Sequence, residues 1–194
     1  MDHTATKRRL DFACHAAIAW LVIALGVVAM IPSAEQVSKP VPMSPCSVAV
    51  FFSPHGGAQD TIVHEIDCAE SEIKVQAYSF TSRPIADALI AAKKRGVAIE
   101  VCADDSNKNP STSVTDELAA SGISVRLDAR HAISHSKVII VDRKLVLTGS
   151  FNWTQAAERS NLENLVLIGS VEVAKKYLDN FESHKTHCKL LVTN

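Results

Sequence analysis

Four polar side chains in the second half of the chain have the types and spacing needed for phosphoryl transfer. His135 and Lys137 are two residues apart on a predicted strand, so both side chains point to one face. Ser150 and Asn152 repeat this spacing a little further along the chain. A neutral imidazole can attack phosphorus, an ammonium can bind non-bridging oxygens, and hydroxyl and carboxamide groups can stabilise developing charge. The pattern indicates a phosphoryl-transfer site with His135 as the nucleophile.

A β-hairpin is predicted to bring these four side chains together. Val138–Val141 is an apolar run typical of a buried strand, and a turn follows it. A two-residue turn made by Arg143-Lys144 would pair Asp142 with Leu145. Opposed residues on neighbouring strands lie about 5 Å apart at Cβ. In this register, Lys137 faces Ser150 and His135 faces Asn152.

The two halves of the hairpin carry a recognisable motif. The sequence contains H-x-K-x4-D (His135, Lys137, Asp142) followed by G-S-x-N (Gly149, Ser150, Asn152). With this motif the chain resembles the phospholipase D superfamily over roughly residues 48–188. Two further segments, Phe52–Pro54 and Gln76–Phe80, resemble the small single-motif bacterial endonucleases of the Nuc type. The mitochondrial cardiolipin hydrolase/Zucchini proteins are also similar, including an N-terminal anchor.

The resemblance implies a role for each side chain of the motif and for one carboxylate downstream of it. The reaction is expected to need no metal and no other cofactor, because no ligand cluster with metal spacing is found in the sequence and Lys137 and Asn152 can hold the phosphate. In the family, the residues corresponding to Asp142 and Gly149 support local structure. The implied catalytic side chains are His135 as nucleophile, Lys137 and Asn152 as phosphate ligands, Ser150 as an assisting group, and Glu163 as the residue that orients His135.

A second complete motif is not found in the sequence. His187-Cys188-Lys189 repeats H-x-K, but Asn194 stands in the place of the aspartate. The chemistry of the superfamily needs one histidine to attack and another to protonate the leaving oxygen. A symmetric homodimer in which two His135 hairpins share one active site would supply both. The sequence therefore predicts a homodimer.

The remaining sequence must provide a scaffold that positions the hairpin. Short β-rich runs alternate with helical stripes, which predicts an α/β sandwich with a mixed central sheet flanked by helices. Predicted strands lie at 48–52, 73–80, 97–103, 123–127 and 165–168, with two more around 142–144, and predicted helices lie at 59–70, 84–96, 114–120 and 171–183.

The N-terminus has the pattern of an export segment. Lys7–Arg9 precedes a run from Phe12 to Ala34 that contains no Asp, Glu, Lys or Arg. About 20 such residues can span a bilayer. Residues 1–34 are predicted to be a cleaved signal peptide or an uncleaved membrane anchor. A linker follows at 35–47 and the catalytic domain at 48–190, which is predicted to be periplasmic, secreted, or held at the inner membrane outside the cytoplasm.

The cysteines and the C-terminal histidines give less information. An exported domain can form disulfides, and Cys46, Cys68, Cys102 and Cys188 allow three pairings or none. The sequence does not choose among these alternatives. No C-x2-C is present, and His184 and His187 have no partner pair nearby in sequence, so they are interpreted as surface residues and no metal site is predicted.

The substrate class is not fixed by composition. The net charge is −1, so overall charge gives no support for binding a polyanion. The polar segment 104–113 favours a nucleic-acid strand, either DNA or RNA, as the substrate. An N-terminal anchor favours the alternative, a phospholipase D that hydrolyses phosphatidyl lipids. A catalytically silent domain that binds envelope partners is a third hypothesis, which the intact motif argues against.

Overall fold

Residues 46–109 and 111–192 are described by the structure, which is a computed structural model. The predicted signal or anchor at 1–34, and the linker as far as residue 45, lie outside the described residues. Within the described ranges, none of the helices has the length and apolar character to cross a membrane.

A mixed sheet of eight strands forms the centre of the domain. The strands lie in the order β1-β7-β6-β5-β2-β3-β4-β8, in which β2, β3 and β4 run parallel and every other neighbouring pair is antiparallel. This arrangement confirms the predicted mixed sheet. The strands are β1 Ser47–Ser53, β2 Glu72–Ala77, β3 Ala98–Asp104, β4 Ser124–Asp128, β5 Val138–Val141, β6 Leu145–Gly149, β7 Glu163–Gly169 and β8 Lys189–Leu190.

Helices cover both faces of the sheet. Along β5, Ile139 and Val141 pack into one apolar cluster with the helices Ala58–Asp67 and Arg83–Lys94, whereas Val138 and Ile140 pack into another with the helix Val171–Lys185. Alternate residues of a strand face opposite sides, so the two clusters are two layers. The predicted α/β sandwich is therefore confirmed. The helices are α1 Ala58–Asp67, α2 Arg83–Lys94, α3 Thr115–Ala120, α4 Gln155–Arg159 and α5 Val171–Lys185, with a 3-10 turn at Asp105–Lys108.

The turn between β5 and β6 differs from the predicted one. Val141 pairs with Leu145, so three residues rather than two form the turn, and the predicted register was wrong by one position. Asp142 and Arg143 have φ angles of 49° and 56°, in the left-handed region that non-glycine residues rarely occupy. Continuing this register brings the backbone of Lys137 opposite Gly149 instead of Ser150.

The carboxylate of Asp142 holds this turn against the start of β2. Its Oδ1 accepts hydrogen bonds from the backbone N–H of Ser71 at 2.8 Å, the hydroxyl of Ser71 at 2.7 Å and the N–H of Glu72 at 3.1 Å, and its Oδ2 accepts from the N–H of Glu70 at 3.1 Å. Burial by itself raises the pKa of Asp142, but these bonds outweigh it and lower the pKa to about 2. The network supplies a physical basis for the supporting role that the family resemblance implies for Asp142.

Replacing Asp142 with asparagine is expected to lower the free energy of unfolding by about 2 kcal/mol near neutral pH. The new amide would turn an N–H donor towards backbone N–H groups. Because the folded pKa lies below the ordinary value of 3.8, the contribution of the carboxylate is fully present above that value and is lost as pH falls towards 2. Urea unfolding of parent and variant should differ most at neutral pH and converge in acid. Asp179→Asn, on an exposed carboxylate paired with Lys175, is the control and should change stability little; equal losses in both variants would contradict this account.

Candidate active site

The first half of the site lies in the extended segment just before β5. The sequence predicts His135 and Lys137 on the strand itself. In the structure both residues lie in this segment, before the strand begins. The N–H of Ser134 donates to Oδ2 of Asp104 at 2.7 Å, and the hydroxyl of Thr148 donates to the carbonyl of Lys137 at 2.9 Å. These bonds fix the segment to β3 at one end and to β6 at the other.

The side chains of this half contact one another. Nζ of Lys137 lies 3.0 Å from Nδ1 of His135 and donates to the His135 carbonyl at 2.8 Å. The Tyr78 ring packs against both, 4.5 Å from the imidazole centroid and 5.1 Å from Nζ. Burial lowers the pKa of Lys137, and the nearby negative charge of Glu163 partly opposes this. Tyr78 was not predicted as a site residue, although it follows β2, the strand beside β5.

Gly149 allows the second half of the site to form. Its φ is 149°, and a Cβ at this position would lie 2.3 Å from the carbonyl oxygen of Asn164, so only glycine fits. That carbonyl accepts from the N–H groups of Ser150 and Phe151 at 3.1 and 3.2 Å. Oγ of Ser150 accepts from the N–H of Asn164 at 3.0 Å and from its side-chain amide at 3.3 Å. The hydroxyl proton of Ser150 is therefore available to donate to a ligand.

Asn152 is positioned by the buried tryptophan that follows it. Nε1 of Trp153 donates to the carbonyl of Gln76 at 3.0 Å, and the Trp153 carbonyl accepts from the N–H groups of Thr81 and Ser82, both at 2.9 Å. Within the described part of the chain, Oδ1 of Asn152 is buried and lacks a hydrogen-bond partner. Buried polar atoms without a partner are uncommon and are often found at functional sites.

All five residues predicted to be catalytic line one open cavity. The predicted contact between Glu163 and His135 is not formed: Oε1 of Glu163 accepts from the side chain of Asn161 at 3.0 Å, and among the described residues it has no hydrogen bond to the imidazole. The orienting role of Glu163 stays a prediction. The cavity has a volume of about 650 Å³ and is lined by His135, Lys137, Gly149, Ser150, Asn152, Glu163 and Asn164.

A second cluster lies at the other end of the loop between β4 and β5. One ligand atom from each of Asp128, His131, His184 and His187 lies within 4.8 Å of all the others. His184 and His187, which the sequence analysis interpreted as surface residues, are half-buried and lie beside two side chains that are distant from them in sequence. The matching D-x2-H and H-x2-H spacings were the available sequence signal, but only the fold brings the two pairs together. Burial and the two neighbouring imidazoles lower the pKa of His184.

The cysteines form none of the three pairings that the sequence left open. Cys46 and Cys68 are exposed, Cys102 and Cys188 are buried, and all four are free thiols in the described residues. Burial and the adjacent Cys188 raise the pKa of Cys102. The two buried thiols, Cys102 and Cys188, pack as small apolar residues in the core.

Comparison with known proteins identifies the family. A sequence profile described as "Cardiolipin synthase, PLD-like domain" matches residues 62–185, which include both halves of the site. The chain belongs to the phospholipase D superfamily. "Phospholipase D" of Rickettsia felis is 42% identical over 138 residues, which are 71% of this chain and 69% of that protein. "Mitochondrial cardiolipin hydrolase" of Xenopus laevis is 31% identical over 142 residues, which are 73% of this chain and 66% of that protein.

Solved structures give the same result. Nuc from Salmonella typhimurium, a phospholipase D family member, has a TM-score of 0.73 at 39% identity, and the match covers 77% of this chain and all of Nuc. NucT from Helicobacter pylori has a TM-score of 0.71 at 26% identity, with 76% of this chain and all of NucT covered. The resemblance inferred from the motif and the phospholipase D-like fold are confirmed. The chain is a phospholipase D-family phosphodiesterase.

Proposed function

We propose that this phospholipase D-family phosphodiesterase is a nuclease that hydrolyses DNA or RNA through a phosphohistidine on His135. The main support is the open cavity, whose lining consists of polar side chains and one glycine. A phosphodiester backbone offers charged oxygens to such a surface and needs no deep apolar pocket. The polar turn at Asp105–Lys108, whose Lys108 is exposed, adds a hydrophilic surface to the same domain.

The proposed reaction has two steps. Nε2 of His135 attacks phosphorus, and the bond from phosphorus to the leaving oxygen breaks as that oxygen takes a proton from His135 of a second copy. Water then attacks the phosphohistidine, gives its proton to the second imidazole, and releases His135. Lys137 balances the charge of the phosphoryl oxygens, and the Ser150 hydroxyl and Asn152 amide donate hydrogen bonds to them.

Glu163 has a specific task in this mechanism. An ammonium of Lys137 that donates to Nδ1 of His135 leaves the imidazole proton on Nε2, which then cannot attack. Substrate oxygens compete for the ammonium and draw it away from Nδ1. The imidazole proton can then sit on Nδ1, where it donates a hydrogen bond to a carboxylate. Glu163 is the carboxylate that lines the cavity. We therefore assign Glu163 as the group that orients His135 in the loaded site.

The surface beside the site supports a homodimer. On one face of the edge strand β1, Val48, Val50 and Phe52 are 58%, 49% and 60% exposed. Phe52 pairs with Asn164, a residue of the cavity wall, so this apolar face adjoins the active site. Exposed apolar patches of this kind commonly mark protein interfaces. We propose that a second copy covers the β1 face and brings its own His135 to the shared site.

Replacing Phe52 with glutamate is expected to convert the dimer to monomers and to lower specific activity at least about tenfold at equal chain concentration. The side chain is mostly exposed, so the monomer should remain folded. Sedimentation velocity and hydrolysis rates over a dilution series test both effects. Leu190→Glu, at the opposite edge of the sheet and 53% exposed, is the matched control and should behave as the parent does. A fully active monomer would refute the shared site.

The names of the relatives favour a second candidate function, hydrolysis of phosphatidyl lipids. Those proteins are called phospholipase D and mitochondrial cardiolipin hydrolase. Two apolar side chains, Ile133 two positions before His135 and Leu162 one position before Glu163, are 57% and 88% exposed and could contact acyl chains. We propose that residues 1–34 direct the domain out of the cytoplasm, where either substrate class can be reached.

Parallel assays on labelled DNA, labelled RNA and phospholipid vesicles distinguish the two functions. We expect the 194-residue chain to cleave at least one nucleic acid with kcat/KM about 100-fold or more above that for phospholipid, a difference of about 3 kcal/mol in transition-state binding. A His135→Ala preparation made in the same way controls for contaminating nucleases. Release of phospholipid headgroups without cleavage of either nucleic acid would establish the second candidate instead.

A further inference from the structure

The cluster of Asp128, His131, His184 and His187 is arranged as a set of metal ligands. The three imidazoles form a triangle, with ring centroids 5.0, 5.2 and 5.4 Å apart and every pair of rings edge to face. Oδ2 of Asp128 lies 2.7 Å from Nδ1 of His131 and 3.6 Å from Nε2 of His187. Ligands of a tetrahedral zinc ion lie about 3.3 Å apart for bonds of about 2.05 Å. The observed ligand atoms all lie within 4.8 Å of one another, which is close to this spacing.

The structure also contains an unsatisfied polar atom in the cluster. Nε2 of His187 is buried and, within the described ranges, makes no hydrogen bond. The N–H of Arg130 donates to Oδ1 of Asp128 at 2.9 Å, which leaves Oδ2 directed at the imidazoles. The side chain of Asp128 is only 3% exposed, so its negative charge is poorly solvated. A cation bound between these groups would satisfy the nitrogen and balance the buried carboxylate.

The chemistry of the ligands selects the metal. Three imidazole nitrogens and one carboxylate oxygen suit zinc, and a set of four protein ligands leaves no open position for a catalytic water. None of the four residues lines the active-site cavity. We propose that Asp128, His131, His184 and His187 bind one structural zinc ion. The ion joins the end of α5 to the start of the loop between β4 and β5. This loop also carries His135, which lies four residues after His131.

Zinc content of the full chain tests the proposal directly. The chain is purified in detergent, treated with chelator, exchanged into zinc-containing buffer and freed of unbound metal. We expect one zinc per chain by mass spectrometry, a visible spectrum typical of tetrahedral coordination when cobalt(II) replaces zinc, and a rise in Tm of at least about 5 °C on adding zinc to the stripped protein. A parent protein that retains no zinc and shows no rise in Tm would overturn the proposal without any variant being made.

Variants locate the ion. The double variant His184→Gln/His187→Gln should retain less than a tenth of the parent's zinc, and Asp128→Asn should bind it more weakly. His64→Gln, on an exposed histidine of α1, should bind as the parent does. Circular dichroism checks that each variant is folded. An equal zinc content per chain in the double variant and the parent would show that the metal binds elsewhere and would refute the site. These readouts do not involve hydrolysis, so they stand apart from the proposed nuclease activity.

Discussion

Alanine in place of His135 should reduce phosphodiester hydrolysis by at least about 10⁴-fold, because the variant lacks the group that forms the covalent intermediate. The imidazole is exposed and lies outside the strands, so its loss should leave the fold intact. The initial rate on bis(p-nitrophenyl) phosphate measures the effect without presupposing nucleic acid or lipid as substrate. Circular dichroism and Tm should match those of the parent.

A trapping experiment separates a covalent role of His135 from a supporting one. When the reaction with a phosphorus-labelled diester is quenched during turnover, the parent protein should carry covalently bound label that is labile in acid and stable in alkali. The His135→Ala variant should carry none. His64→Ala removes an exposed histidine of α1 and should retain both the rate and the label. Activity of His135→Ala within tenfold of the parent would show that another group is the nucleophile.

Lys137→Ala is expected to lower the same rate about 10³-fold, the loss typical of removing a preorganised charge at the transferring group. Lys137 is only 6% exposed, and its ammonium touches the imidazole. Lys144 lies seven residues later in the exposed turn, with 59% of its side chain accessible, so Lys144→Ala should change the rate less than about twofold. Equal losses in the two variants would contradict the placement of Lys137 at the phosphate.

The pH dependence provides a further check on Lys137. Burial disfavours its charged form and holds its pKa below the ordinary value of 10.5. The cation is the active form, so the rate should fall as pH rises through that lowered pKa. Lys137→Arg, whose charge persists at high pH, should lose this alkaline limb whatever its absolute rate.

Much of the site could be predicted because its chemistry depends on residue types at fixed spacing. His135, Lys137, Ser150 and Asn152 were found from the two halves of one hairpin, and the structure places all four in one cavity. The register of the hairpin was missed because it depends on the turn. Asp142 occupies a left-handed conformation, which residues other than glycine seldom adopt, and hydrogen bonds from residues seventy or more positions away in sequence hold it there.

The elements that were missed are short or depend on distant partners. The helix Gln155–Arg159 and the strand Lys189–Leu190 contain five and two residues, too few for a periodic pattern to show. The meeting of His184 and His187 with Asp128 follows from the pairing of that last strand with β4, which no local pattern reveals. The site lies in a contiguous stretch of sequence, whereas the histidine cluster is assembled by tertiary structure.

The pairing of the edge strand β1 has a consequence for the order of folding. Among the described strands its only neighbour is β7, and their paired residues, from Ser47 with Gly169 to Ser53 with Glu163, are more than a hundred positions apart. The β5–β6 hairpin closes over three residues and can form at once, whereas β1 must wait during synthesis until β7 has left the ribosome. Amide hydrogens of β1 should therefore exchange faster than those of β5. A nascent chain completes its own half of the active site before it can offer the β1 face to a second copy.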